Sequence, residues 1–79
     1  MSDTGKLGRP VEIHWQDTRS DTRWTSLSRA RRATPVQCRT VGYVIKSTAR
    51  RLVLAHTIGD KACDYTAIPV GCITEVIEL

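Results

Sequence analysis

Two clusters of arginine are the residues of this chain best suited to chemistry with a charged partner. Arg50 and Arg51 stand side by side in "IKSTARRLVL", with Lys46 just ahead of them. Arg29, Arg31 and Arg32 crowd into "SLSRARRAT", a few residues beyond Trp24. A guanidinium presents a planar fork of N–H donors that matches phosphate or carboxylate bidentately, which an ammonium does not. Nine of the twelve basic side chains are arginine, and against eight acidic ones they leave a net charge of +4. Such an excess points to an anionic partner, although the coding bias of a high-GC genome yields the same count with no function attached. Beside Trp24, basic side chains suit single-stranded nucleic acid or a nucleotide, a base stacked on the indole and phosphate held by guanidinium. Each cluster also has a plain structural reading. Arginines at a hairpin tip keep strand ends from aggregating, and Trp24 with Leu27 is apolar cover for a core.

Other chemistries lack their residues. Cys38, Cys63 and Cys72 are odd in number and show no C-x-x-C spacing, so they read as reduced cysteines of a cytosolic protein. His14 and His56 fall on different strands, without the closely spaced second ligand of a structural zinc site. No carboxylate pair, nucleophile elbow, phosphate-binding glycine loop or histidine-based triad can be traced. Asp60 and Asp64 flank a turn and read as turn formers. The expectation is a protein that acts by binding, with no catalysis, metal or cofactor. No apolar run approaches the ~20 residues of a membrane span, and no secretory h-region follows Met1. A soluble, cytoplasmic protein is expected.

The elements that would position the arginines are mostly strands. With 79 residues the chain is read as one domain, residues 11–79, behind a disordered leader of residues 1–10 rich in glycine. "VEIHWQD" alternates Val11, Ile13 and Trp15 against polar residues, the mark of a half-buried strand. Residues 17–35 lose that alternation and form a long basic loop, in which Trp24 and Leu27 are expected to fold one helical turn onto the core, capped by Asp21 or Thr22. Pro35 returns the chain to extended conformation. "VQCRTVGYVIK" is a long strand with Gly42 at a bend, and "RLVLAHTI", with Leu52, Leu54 and Ile58 on one face, pairs with it as a hairpin. "GDKACD" is a second turn. "YTAIPVGCITEVIEL" ends the chain as two short strands separated by a 3₁₀ step at Pro69–Gly71. Trp15 is expected in the core, and Tyr43 and Tyr65 at the edge of a shared groove, with a subunit contact as the alternative for Tyr65. The fold class is mainly all-β. The count fits an open five-stranded barrel of the SH3 or Sm type, with full closure of the sheet expected to deal with its strand edges and the long basic loop after its first strand.

"VGYVIKSTARRLVLA" followed by "AIPVGCITEVIEL" resembles the paired signatures of Sm-like proteins, including the bacterial Hfq type. Gly42, Leu52, Leu54, Ile73 and Val76 fall at the matching points. The chain also resembles small uncharacterised phage and prophage proteins that share a "W-x-D" start, a "S/T-V-G-Y/W-x-I-K" strand and a closing "I-P-x-x-x-I". Here these are Trp15 with Asp17, Thr40 to Lys46, and Ile68 to Ile73. The first likeness implies a barrel that assembles into a homo-oligomer. The second implies a phage-type accessory protein working in the host cytoplasm. The site residues of the Sm family are not carried over. Its RNA sites use an aspartate and an asparagine at the hairpin tip, where this chain has Ser47 to Arg51. Val70 and Gly71 stand where the Hfq type has lysine and histidine.

The expected function is therefore an oligomeric, non-enzymatic barrel that binds RNA or a host signalling nucleotide. Arg50, Arg51, Arg29, Arg31, Arg32, Trp24 and Lys46 would form its ligand-binding set. The alternative is a protein–protein module that inhibits or modulates a host enzyme or defence protein through the same loop. An SH3-type receptor for proline-rich peptides is weaker, because four aromatics are few for its groove.

Overall fold

Alternation of apolar and polar residues builds almost all of the structure. A computed structural model describes residues 8–79, and these form β1 (Pro10–Asp17), α1 (Leu27–Arg31), β2 (Val36–Ser47), β3 (Arg51–Ile58), β4 (Ala62–Pro69), a 3₁₀ turn (Val70–Cys72) and β5 (Ile73–Glu78). All five strands lie in one antiparallel sheet in the order β4-β3-β2-β1-β5. The expected leader falls outside the described residues as far as residue 7. Gly8 and Arg9 are already hydrogen-bonded to the sheet: the Gly8 N–H donates to the Val44 carbonyl (2.6 Å), and the Arg9 carbonyl accepts from the Val44 N–H (2.9 Å). Among the described residues no helix is long and apolar enough to cross a membrane.

One face of the sheet is dry. Val11 and Ile13 of β1, Val44 of β2, Leu52 and Leu54 of β3 and Ile68 of β4 form the buried core, and Trp15, Ile73 and Val76 pack against it. Trp15 is thus core-facing, as its place in the alternation predicts, and its indole N–H donates to the Thr40 hydroxyl at 2.9 Å. Ile58, expected on the core face with Leu52 and Leu54, is instead 45 % exposed. The last residue of β3 that β2 pairs with is Ala55, so among the described residues His56 to Ile58 pair only with β4 and none of the three is buried.

β2 changes partner along its length. Up to Tyr43 it pairs with β1, and from Tyr43 onward with β3. Gly42 sits just before the changeover, packed closely against the Ala55 carbonyl and Leu54 of β3. A bulge between Val44 and Lys46 then shifts the β2–β3 register. A second irregularity, between His14 and Trp15, displaces the β1–β5 ladder, and the Thr74 hydroxyl donates to the His14 carbonyl across it at 3.1 Å. On the outer face of that ladder, His14 lies 2.6 Å from a Glu12 carboxylate oxygen and 3.6 Å from one of Glu75, which ties β5 to β1.

The sheet does not close, so the expected full closure of a barrel is corrected. β4 and β5 are the end strands and pair with β3 and β1 respectively, not with each other. Pro69, which has no N–H to donate, ends β4, and the 3₁₀ turn then carries the chain across to β1. The sheet nevertheless curls. The Arg50 carbonyl accepts from the Val70 N–H (2.9 Å), and Ile73, just past the turn, pairs with Trp15.

Asp64 is the one described non-glycine residue with a left-handed backbone, at φ 53° inside β4. The turn that was expected to extend to it is confined to residues 59–61, so Asp64 is a strained strand residue and not a turn former. Aspartate tolerates this conformation and a β-branched side chain does not. Asp64→Val is expected to cost about 1–2 kcal/mol, whereas Asp64→Gly should match or exceed the parent. Paired chemical melts would check this; equal midpoints for all three proteins would remove the claim of strain.

Candidate functional site

The loop between β1 and β2 is built from short local hydrogen bonds, because it has no core to lean on. Every residue from 17 to 35 is exposed. The Thr18 N–H donates to Asp17 Oδ1 at 2.8 Å, and Arg19 Nε donates across the loop to the Thr34 carbonyl at 2.8 Å, tying its two ends together. Asp21 accepts the Arg23 backbone N–H at 2.9 Å, and its two carboxylate oxygens take Arg23 Nε at 3.1 Å and Nη2 at 2.9 Å. The guanidinium and backbone of Arg23 hold the Asp21 carboxyl below the usual carboxylate range, and Asp21 in turn raises the pKa of Arg23. Ser26 caps α1, its hydroxyl accepting from the Arg29 N–H at 3.1 Å.

This corrects two expectations. The helical turn begins at Leu27 and is capped by Ser26, because Asp21 is fully engaged by Arg23. Nor does the turn fold onto the core. Trp24 lies before the helix and is as exposed as in an open chain (102 %), and Leu27 is 71 % exposed. Both apolar side chains therefore face outward beside the arginines.

Arg19, Arg23, Arg29 and Arg32 line one concavity of ≈ 680 Å³, with Asp21 on its rim. Trp24 borders a smaller one with Arg23 and Arg29. Arg31, on the other side of α1, lines neither. Arg50 and Arg51 occupy the expected hairpin tip, which the Thr48 hydroxyl organises by accepting from the N–H groups of Arg50 (3.2 Å) and Arg51 (3.1 Å). Both residues are exposed, and Lys46 stands apart from them on β2. A link runs from Arg50 through Val70 and Ile73 to Trp15, near the end of β1 where the loop departs. Among the described residues, ion pairs form at Arg9, His14 and Arg23, and none engages the predicted arginines or Lys46.

Comparison with protein families, with curated proteins and with solved structures finds no match.

The seven predicted site residues thus fall into separate places. Trp24, Arg29 and Arg32 meet in the loop, Arg31 flanks it, Arg50 and Arg51 share the tip, and Lys46 belongs to the sheet. Sequence reasoning missed Arg19, Arg23 and Asp21. Their signal is the repeat "DTRSDTR", which places an aspartate two residues before an arginine twice. Only the second copy closes into an ion pair; the first arginine reaches Thr34 instead. No group of three or more potential metal ligands forms among the described residues, and the three cysteines are free.

Proposed function

We propose that this chain is a non-enzymatic binding protein of phage type, built on an Sm/SH3-like sheet, which takes a phosphate-bearing ligand (RNA or a host signalling nucleotide) through its arginine-rich loop. One observation carries the reading. Four arginines converge on one open concavity beside a fully exposed indole, and only Arg23 has a carboxylate partner among the described residues. Solvated guanidinium groups next to an uncovered ring provide phosphate pairing and base stacking together. Arg50 and Arg51 at the tip, linked through Val70 and Ile73 to the strand from which the loop departs, extend the positive surface.

The strand order, the close approach at Gly42 and the 3₁₀ step before β5 support the Sm/SH3-like likeness that the sequence motifs carry. The outer edges of β4 and β5 have no partner strand among the described residues, which suits a homo-oligomer formed by edge pairing between copies. In a ring, the basic loops of several copies would gather around one ligand or strand. The accessory role is modulation of host RNA or sequestration of a host nucleotide, in the host cytoplasm.

Fluorescence polarisation with labelled RNA and with a panel of cyclic nucleotides, at two salt concentrations, tests the reading. Binding that weakens with salt is expected, since each neutralised phosphate of a single strand contributes a slope of about −0.7 in log K against log salt. No salt-sensitive binding to any probe would remove it. The exposed Trp24–Leu27 pair specifically favours the second reading, a module that docks on a host protein and inhibits it. That protein would co-purify with one partner and bind no nucleotide.

A further inference from the structure

The loop leaves unexplained an aromatic and basic stripe on the outer, core-distal face of the sheet. Tyr43 of β2 pairs with Ala55 of β3, and Ala55 pairs with Tyr65 of β4, so the three side chains lie in one row on one face. Ala55 is completely buried, while Tyr43 is 40 % and Tyr65 71 % exposed. The backbones of the two tyrosines thus lie about 10 Å apart, one on each side of the strand that carries Ala55. A shallow groove of ≈ 570 Å³ lined by Gly8, Tyr43, His56, Thr57 and Ile58 adjoins the first of them.

Positive charge flanks this row. Arg39, Val41 and Tyr43 alternate onto the outer face of β2. Simple alternation would then send Lys46 inward beside Val44. The bulge at Ile45 reverses that: Val44 still faces Leu54 in the core, yet Lys46 pairs with Val53, whose side chain points outward. The bulge re-aims one lysine onto the face that carries the tyrosines. Neither Arg39 nor Lys46 forms an ion pair among the described residues. Two acidic groups share this face, Glu12 opposite Val41 and Glu75 in the row of Arg39, and both lie beside His14, at 2.6 and 3.6 Å.

We infer that this face is a second binding surface, for single-stranded nucleic acid, with Tyr43 and Tyr65 as base-stacking platforms and Lys46 and Arg39 as phosphate contacts. The inference rests on the nucleic-acid reading above and narrows it to a polymer, because a mononucleotide cannot stack on both rings. Basic side chains interleaved with aromatics on an open sheet provide stacking with little sequence preference and strong salt dependence. Charge complementarity selects this occupant over a second copy of the chain.

The test measures polarisation of labelled single-stranded RNA, single-stranded DNA and a labelled mononucleotide with the full chain. Tyr43→Ala and Tyr65→Ala should each weaken strand binding about 5-fold or more, leave mononucleotide binding unchanged, and be rescued by Tyr→Phe. Lys46→Gln, which removes an exposed charge and spares the fold, should lower the salt slope by about 0.7. If Trp24→Ala weakens strand binding while the tyrosine and Lys46 variants bind like the parent, the sheet face is overturned and the loop reading stands. If Tyr65→Ala changes the mass in solution and strand affinity is untouched, the face is a contact between copies and the inference fails. If the parent binds none of the three probes, the loop reading fails and this inference falls with it.

Discussion

Gly42→Ala is expected to lower the melting temperature by roughly 5–20 °C, from a cost of about 1–3 kcal/mol, and Gly42→Val is expected not to fold. A Cβ at this position would lie 3.0 Å from the Ala55 carbonyl oxygen and 3.1 Å from Leu54 Cβ. Neither neighbour is the loose end of a flexible side chain. The carbonyl belongs to β3 at the point where β2 exchanges β1 for β3, and moving it opens the ladder that begins at Tyr43–Ala55. Leu54 is fully buried, so its displacement disturbs the packing of Val44 and Ile68 as well. A core this small supplies only about 3–5 kcal/mol of net stability, so one strained contact takes a large share of it. Gly59 and Gly71 are the controls: a Cβ on either meets nothing within 4 Å, and neither has a left-handed backbone. Their alanine variants should melt close to the parent. Thermal denaturation followed by circular dichroism checks all four, and a Gly42→Ala protein that melts with the controls would show that β2 tolerates a side chain at this position.

Gly42 also illustrates how much of the fold could be read from residue types. A glycine inside an otherwise β-branched strand has a local meaning, a bend or a close approach, and here the close approach to β3 is plain. The alternation at Val11, Ile13 and Trp15, the return to strand after Pro35, and the step at Pro69–Gly71 are local signals of the same kind, and each produced the element expected. What failed depended on partners distant in sequence. Ile58 keeps the parity of Leu52 and Leu54, but burial needs β2 alongside, and β2 has already turned toward β1. Closure failed similarly: the strand count is right for a closed barrel, but β5 pairs with β1, and its other edge has no partner strand among the described residues.

The candidate site was legible by composition and not by arrangement. Arginine clusters and an isolated tryptophan are visible in any reading of the chain, yet which arginines share a surface depends on which carboxylates and carbonyls claim them first. Asp21 takes Arg23, and the Thr34 carbonyl takes the Nε of Arg19, so both side chains are held at the concavity. Arg31, one residue from Arg32, points away because a helix separates adjacent positions by about 100°. Lys46 is the clearest case. Its outward direction comes from a one-residue bulge that no alternation pattern encodes, and the bulge converts a residue assigned to the arginine tip into a residue of the sheet face.

Excising the loop separates its binding role from any structural one. Asp17 and Val36 are direct cross-strand partners, so residues 18–35 can be replaced by Asn-Gly, the two-residue turn that matches the twist of an antiparallel pair. No residue of the removed segment is buried, and its hydrogen bonds are internal or reach only Asp17. The shortened chain should therefore fold, with a gain on the order of 1–2 kcal/mol from the lower entropy of closing a short connection. Nucleotide binding should be lost altogether, and single-strand affinity should fall to what the sheet face alone supports. Trp24→Ala, which touches no other element, is expected to reproduce the stacking part of that loss, roughly 5- to 150-fold. Arg29→Ala with Arg32→Ala should remove the phosphate part, flattening the salt slope for a single strand by about 1.4. A loop-excised protein that folds and still binds nucleotide as the parent does would exclude the loop as the site. If it instead lost a co-purifying protein partner, with no nucleotide bound before or after, Trp24 and Leu27 would be contacts for that partner.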